Sequence, residues 1–248
     1  VLRYMLCANM PETKDNDFTW KDFQERNNSE LVAIFGNFVN RTFVLMHKLC
    51  GGKVPKLHED ILDNTDKALI EEMKKAKEKN VKLYLPVDSL NGNKFDNEAE
   101  TKITASNAVD DGWLGLDIAE KAIEEFHFRD ALFEVIDLAR KGNKYLQEKE
   151  PWKKASEPVA GSPESGANQQ LIDNCLHLCL QLTANLAILI NPFLPNTAKK
   201  MQPLMKVVDK MMDWENAGKL KLLSVGYSLR PPELLFRKIE DEEIKAQV

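Results

Sequence analysis

Leu171-Ile172-Asp173-Asn174-Cys175-Leu176-His177-Leu178-Cys179-Leu180-Gln181-Leu182-Thr183-Ala184-Asn185-Leu186-Ala187-Ile188-Leu189-Ile190 is the stretch that decides the fold. It is too long for a strand, and its apolar residues surround the whole helical circumference. Such a helix belongs at the centre of a bundle rather than on its surface. Cys175 and Cys179 share one helix face at i, i+4, while His177 points away from it. Core packing of two small thiols accounts for that spacing better than a metal site does.

Other helices surround this one in the sequence. Asn191-Pro192-Phe193-Leu194-Pro195 is a break, after which Asn196 starts a helix through Met205. Upstream, residues 155–169 (Ser, Glu, Pro, Gly, Ala, Asn) read as a loop by composition. Residues 119–147 read as a helix that Pro151 stops. Residues 22–48 form a further helix, with Leu31, Ile34, Phe35, Phe38, Val39, Thr42, Leu45 and Met46 at helical spacing, Asn28 or Ser29 as an inner cap, and Gly51-Gly52 as its end. Residues 66–79 read as another, and 240–245 as a short charged one. The expected fold class is therefore mainly α, a helical bundle.

One block breaks the pattern. Val81-Lys82-Leu83-Tyr84-Leu85-Pro86-Val87-Asp88 and Thr101-Lys102-Ile103-Thr104 read as strands, and Asp111-Gly112-Trp113-Leu114-Gly115 as a loop. The bundle thus carries a small α/β insertion at 80–118.

Composition sets outer limits. The chain has 248 residues, 43% of them hydrophobic and 29% charged, as in an ordinary globular protein. No run of apolar residues reaches the ~18 that span a membrane. The beginning at Val1 has no signal-peptide layout and reads as a chain cut from a longer one. Four scattered cysteines suit a reduced, cytoplasmic setting. The net charge of −5 argues against nucleic-acid binding through bulk charge. The 80–118 block, with three Lys and seven Asp/Glu, carries most of that charge. A local basic patch elsewhere remains open.

Two constellations carry chemistry. In Gly36-Asn37-Phe38-Val39-Asn40-Arg41, Asn37 and Arg41 lie one turn apart on one helix face. An amide beside a guanidinium presents several donors and one acceptor, an array suited to the edge of an unpaired base. A solvated helix face with a structural Asn is the alternative. In Gly142-Asn143-Lys144-Tyr145-Leu146-Gln147-Glu148-Lys149-Glu150-Pro151-Trp152, the indole follows a helix-ending proline. Lys149, Lys153 and Lys154 flank it, with Arg140, Lys141 and Lys144 one or two turns earlier. Base stacking on an indole contributes ~1–3 kcal/mol per base, and the cations would meet phosphates. A core Trp at a domain edge is the alternative. No catalytic constellation stands out: His47, His58, His127 and His177 lie in different elements, and no nucleophile–base order or glycine-rich phosphate loop is present.

These residues carry a resemblance. Leu2-Arg3-Tyr4, Asp17-Phe18-Thr19-Trp20, Arg26-Asn27-Asn28-Ser29-Glu30-Leu31 and Gly36–Arg41 resemble methionyl-tRNA synthetases just after the catalytic signature loop. The likeness resumes at Phe128-Arg129-Asp130-Ala131-Leu132. It continues through Gly142-Asn143-Lys144-Tyr145, Glu150-Pro151-Trp152-Lys153, Asn191–Pro195 and Leu234–Glu240. It implies a class I aminoacyl-tRNA synthetase anticodon-binding helical bundle that reads the CAU anticodon. By the resemblance, Asn37 and Arg41 contact the anticodon, Trp152 stacks on a base with Pro151 before it, and Asn143 belongs to the same site. The implied partners are the anticodon stem-loop of methionine tRNA and an N-terminal catalytic domain, with no membrane. The family's His-Ile-Gly-His and Lys-Met-Ser-Lys-Ser motifs and zinc knuckle are absent from these 248 residues. The expectation is no catalytic residue, metal or cofactor in this chain, with ATP used by the parent ligase.

The block at 80–118 resembles one stretch of phosphoglycerate kinase, whose adenine-pocket residues fall on Gly115 and Leu116. The kinase's phosphate loops and basic substrate cluster are missing. The implied organisation is the end of a catalytic-domain connection at 1–21, a bundle at 22–79 and 119–219, the kinase-like insertion at 80–118, and a tail at 220–248 that packs on the bundle or on the catalytic domain. Two other readings compete with anticodon recognition. One is a structural fragment or chimera without independent activity, with Leu2, Tyr4, Leu6, Leu234, Leu235 and Phe236 exposed. The other is kinase-like nucleotide binding.

Overall fold

The computed structural model describes residues 1–11, 16–83, 128–156 and 163–247. Helix α1 (Leu2–Ala8) leads to α2 (Trp20–Arg26), a π-helical stretch (Asn27–Gly36) and α3 (Asn37–Cys50). Then come α4 (Asn64–Leu83), α5 (Phe128–Lys149), the one-turn α6 (Pro151–Lys154), α7 (Pro163–Ile190), α8 (Pro195–Met205) and the short α9 (Asp241–Lys245). Among the described residues there is no β-strand. A single antiparallel bridge joins Lys53 to Ser228.

The expected helix at 22–48 is present but changes gauge along its length. Thr19, not Asn28 or Ser29, caps its start, with Oγ1 accepting from the Asp22 N–H at 3.1 Å. Ser29 instead donates to the Glu25 carbonyl, and Asn28 exchanges two hydrogen bonds with the Ile239 backbone. The Asn27 amide donates to Arg237 O. These two side chains dock the tail along the wide π turns. At the far end Gly51, at φ 58°, closes α3 in the left-handed region.

Two sequence boundaries shift. The backbone of α4 continues helical to Leu83, so Val81-Lys82-Leu83 does not begin a strand. Its lysine-rich run lets the helix continue where the apolar run beginning at Val81 had suggested an end. Likewise α7 begins at Pro163, inside the expected loop, because proline is well suited to a helix's first turn. Residues 84–88, 101–104, 111–115 and 119–127, where further strands, a loop and a helix start were expected, lie outside the described residues.

Helix α7 is the axis. Nearly every side chain from Ile172 to Ile190 is buried. By length and composition Gly166–Ile190 is apolar enough to cross a membrane, although no uninterrupted apolar run is that long, yet 89% of its most apolar window is packed inside the bundle. Cys175 and Cys179 lie in that core. Its buried polar residues form a line that satisfies loop backbone. Asn174 accepts from His58 N and donates to His58 O. The Nδ1 of His177 lies 2.8 Å from Pro55 O, so it carries the proton. Gln181 accepts from the N–H groups of Leu222 and Leu223 and donates to Leu223 O. Asn185 holds Gly218 N and Lys219 O.

Close approach is set by glycine at two places. A β-carbon on Gly142 would sit 2.6 Å from the Phe38 ring and 2.8 Å from Leu182 Cδ2, so α5 crosses α3 and α7 more tightly than alanine permits. A β-carbon on Gly36 would sit 2.9 Å from Leu31 O. At the other side, Arg3 of α1 donates to Phe193 O and Pro192 O, and Tyr4 donates to Glu30. Of the apolar residues expected to be exposed, Leu2, Leu6 and Leu234 are, whereas Tyr4 and Leu235 are buried and Phe236 is half-buried.

Two outcomes follow from the axis. Gln181→Leu strands three backbone groups beneath the loop at 222–223 and should lower unfolding free energy in urea by about 2–4 kcal/mol. Burial, helped by Lys221 and opposed by the Pro55 hydrogen bond, holds the His177 imidazole below its ordinary pKa. The unfolded chain therefore takes up that proton first, and stability present above about pH 6.5 falls as pH drops below it. His177→Gln should flatten the decline in Tm between pH 7 and 5.

Candidate nucleic-acid interface

The tight crossing at Gly142 brings the next residue, Asn143, to the first turn of α3. Asn143 donates from Nδ2 to Ile34 O at 2.9 Å and to Ala139 O at 3.2 Å. Its Oδ1 accepts from Asn37 Nδ2 at 3.1 Å. Asn37 is exposed and Asn143 half-buried. One turn along α3, the Arg41 guanidinium lies over the Trp152 indole, 5.3 Å from the ring centroid. Asn37, Arg41, Asn143 and Trp152 thus meet along one seam between α3, α5 and α6. A shallow cleft of about 150 Å³, lined by Val32, Gly36, Asn37, Asn40 and Leu234–Phe236, opens beside Asn37.

The turn that presents Trp152 is built by ion pairs and backbone geometry. α5 ends at Lys149, and Glu150 takes the left-handed conformation at φ 42°, which costs roughly 1–3 kcal/mol for a residue with a β-carbon. The buried Pro151 then opens α6, and Trp152 follows half-buried against the core. Lys149 anchors this turn. Its ammonium is buried and lies 2.6 Å from Asp63 and 2.5 Å from Asp66 at the start of α4. The Tyr145 hydroxyl donates to the same Asp66 carboxylate at 2.7 Å. Burial raises the tyrosine's pKa, and the Asp66 charge adds to that, keeping the hydroxyl protonated as a donor. Burial opposes ionisation of Asp63, but bonds from Lys149, Thr65 and the Asp66 N–H outweigh it and hold its carboxyl well below the usual range.

The expected basic patch is consequently rearranged. Lys149 is not available to a phosphate, because two carboxylates hold it inside the fold. Arg140 pairs with Asp137, Lys141 with Glu72 and Asp137, Lys144 with Glu148, and Lys153 with Glu150. Lys154 and Arg41 take part in no ion pair among the described residues. Gly115 and Leu116 lie outside the described residues. The Lys149–Asp63–Asp66–Tyr145 network escaped sequence reading. Its local signal was Tyr145 and Lys149 at i, i+4, which needed the pairing of α5 with α4 to acquire meaning.

Comparison with known proteins gives the family. Residues 98–247 match the family model of the anticodon binding domain of methionyl tRNA ligase, more than half of the chain. The chain belongs to that family. Residues 1–43 match the class I tRNA synthetase (M) family, and residues 27–166 also match phosphoglycerate kinase, a span wider than the 80–118 block. The methionine–tRNA ligase of Phocaeicola vulgatus is 42% identical over 248 residues, covering 100% of this chain and 29% of the relative. That of Cytophaga hutchinsonii is 43% identical over the same length, covering 28% of the relative. The chain therefore spans less than a third of these relatives, and the match includes the kinase-like block. Among solved structures, apo Mycobacterium tuberculosis methionyl-tRNA synthetase superposes with a TM-score of 0.71 at 18% identity, covering 96% of this chain and 38% of that one. The methionyl-adenylate-bound form gives 0.70 at 18% identity, with 95% and 37% coverage. At that identity the likeness is one of fold.

Lys149→Met should destabilise the protein by about 3–5 kcal/mol in denaturant titration, because it leaves the buried Asp66 carboxylate uncompensated. Lys154→Ala, at a cation without an ion pair, should leave the midpoint within about 0.5 kcal/mol of wild type.

Proposed function

We propose that this chain recognises the anticodon loop of methionine tRNA. The observation that carries the reading is the convergence of the Arg41–Trp152 stack with the Asn37–Asn143 amide pair on one seam. Trp152, half-buried beneath and beside Arg41, offers π surface to an unstacked base. Stacking gives affinity without regard to base identity, while Asn37 and Arg41 read the base edge. The roles of Pro151 and the flanking lysines follow: the proline sets the turn, and Lys154 with Arg41 supplies the positive charge not already taken up by carboxylates.

In the parent ligase, this recognition serves ATP-dependent attachment of methionine to tRNA in the cytoplasm. Residues 1–21 are the end of the connection to the catalytic domain, which is the second partner. Residues 22–79 and 119–219 are the anticodon-binding bundle, 80–118 a kinase-like insertion, and 220–248 a tail. The kinase match supports a second reading, nucleotide binding at the 80–118 block. It rests on Gly115 and Leu116 without the phosphate-binding loops such a site needs. Titration with ADP should give no saturable change in the fluorescence of Trp113.

The deciding assay compares RNA hairpins that carry methionine and other anticodons on the same stem. The wild-type chain should prefer the methionine hairpin. Trp152→Ala should weaken its binding by at least ~1 kcal/mol, about fivefold. Arg41→Ala should narrow the preference between anticodons. Equal affinity of the wild-type chain for all anticodons would refute the reading.

A further inference from the structure

Hydrogen bonding at the α3–α5 crossing runs in one direction. Asn143 Nδ2 faces two main-chain carbonyls, Ile34 O at 2.9 Å and Ala139 O at 3.2 Å. Carbonyl oxygens only accept, so the reversed amide would set Oδ1 against both of them and forfeit both bonds. The Asn143 Oδ1 must therefore point toward Asn37, and since it too only accepts, it fixes Asn37 with Nδ2 inward at 3.1 Å. The Asn37 Oδ1 is left facing outward on an exposed side chain, with no hydrogen-bond donor to it among the described residues. The Ile34 carbonyl that starts the relay lies where the π turns give way to α3, the kind of gauge change that recurs at functional sites.

We propose that Asn143 is a positioning residue which, through this relay, locks the Asn37 amide with its acceptor outward, so that the site accepts a base presenting an exocyclic amino group and rejects one presenting a carbonyl there. The proposal rests on the anticodon-loop reading above and assigns Asn143 a role that needs no contact with RNA. An unlocked amide would rotate by half a turn and offer a donor or an acceptor as the base required. Asn37 by itself therefore has no preference; the preference belongs to the pair. Arg41, one turn further on, has donors only and complements the outward acceptor. Together they match an edge that gives an amino hydrogen next to ring acceptors, as cytosine does, and clash with uracil, in which the exocyclic group is a carbonyl.

The test uses the full chain and two RNA hairpins that differ only by cytosine or uracil at one anticodon position, each anticodon position being tried in turn. The wild-type chain should prefer cytosine at one position by about tenfold or more. Asn143→Ala should reduce that ratio by at least fivefold, through loss of cytosine affinity and gain of relative uracil affinity. Asn143→Ser, whose hydroxyl can bond back to Ala139 O and keep the helix intact, should do the same and guards against an alanine variant that fails to fold. Trp152→Ala should lower both affinities while preserving the ratio. If both Asn143 variants keep the wild-type ratio, whether or not affinity or Tm drops, the relay is overturned while the anticodon reading stands. If the wild-type chain binds no hairpin selectively, the anticodon reading falls and the relay with it.

Discussion

The constraint on which the site depends is the close crossing of α5 over α3 and α7 at Gly142. Without a side chain there, the Phe38 ring and Leu182 fill the space a β-carbon would take. An alanine there would displace the Phe38 ring and Leu182 or α5 itself, and α5 carries one half of the 3.1 Å Asn37–Asn143 hydrogen bond. The same helix carries Tyr145 and Lys149 one and two turns further on, and ends at the turn that places Trp152. A displacement at Gly142 would be felt at both the Asn37–Asn143 and the Arg41–Trp152 ends of the seam.

The central helix solves a complementary problem. A helix as apolar as α7 has no intrinsic register relative to the irregular segments around it, because apolar contact is not directional. Asn174, His177, Gln181 and Asn185 supply that register by holding particular backbone atoms of residues 55–58 and 218–223. Each bond is buried or partly buried, so a slipped loop would leave groups on both sides poorly satisfied. The tail is positioned in a similar way by Asn27 and Asn28, and it is Phe236 of that tail that packs edge-on against Phe35 at 6.3 Å. Asparagine and glutamine side chains, rather than regular secondary structure, fasten the long irregular segments to the bundle.

The helices were legible in the sequence because their periodicity follows from burial on one side or on all sides. The seam was legible in part. Asn37 and Arg41 could be paired from their four-residue spacing, and Pro151–Trp152 from the helix stop. That the two pairs would meet depends on residues more than a hundred positions apart, and the glycine that permits it gives no periodic signal. The π stretch at Asn27–Gly36 was invisible for a different reason. Its apolar residues still fall every three to four positions, and only the gauge of the hydrogen bonds changes. The continuation of α4 to Leu83 shows the converse error, in which a short run of Val, Leu and Tyr suggested a strand although the residues before it were strong helix formers.

Charge was the least legible property, since a count of lysines says nothing about their partners. Around Trp152 nearly every cation is matched by a carboxylate one turn away or on α4, from Arg140 with Asp137 to Lys153 with Glu150. Lys149 is withdrawn into the fold to hold α5 against α4. A seam so nearly neutral on a chain of net charge −5 cannot hold RNA chiefly through phosphate neutralisation. On the proposed reading its affinity comes from the indole–guanidinium stack, and its selectivity from the fixed direction of two amides. That division suits a discriminating surface. Phosphate contacts are alike for every sequence, so a site that drew most of its affinity from them would raise binding of every anticodon together, whereas stacking and edge contacts are made only by bases splayed out into the seam.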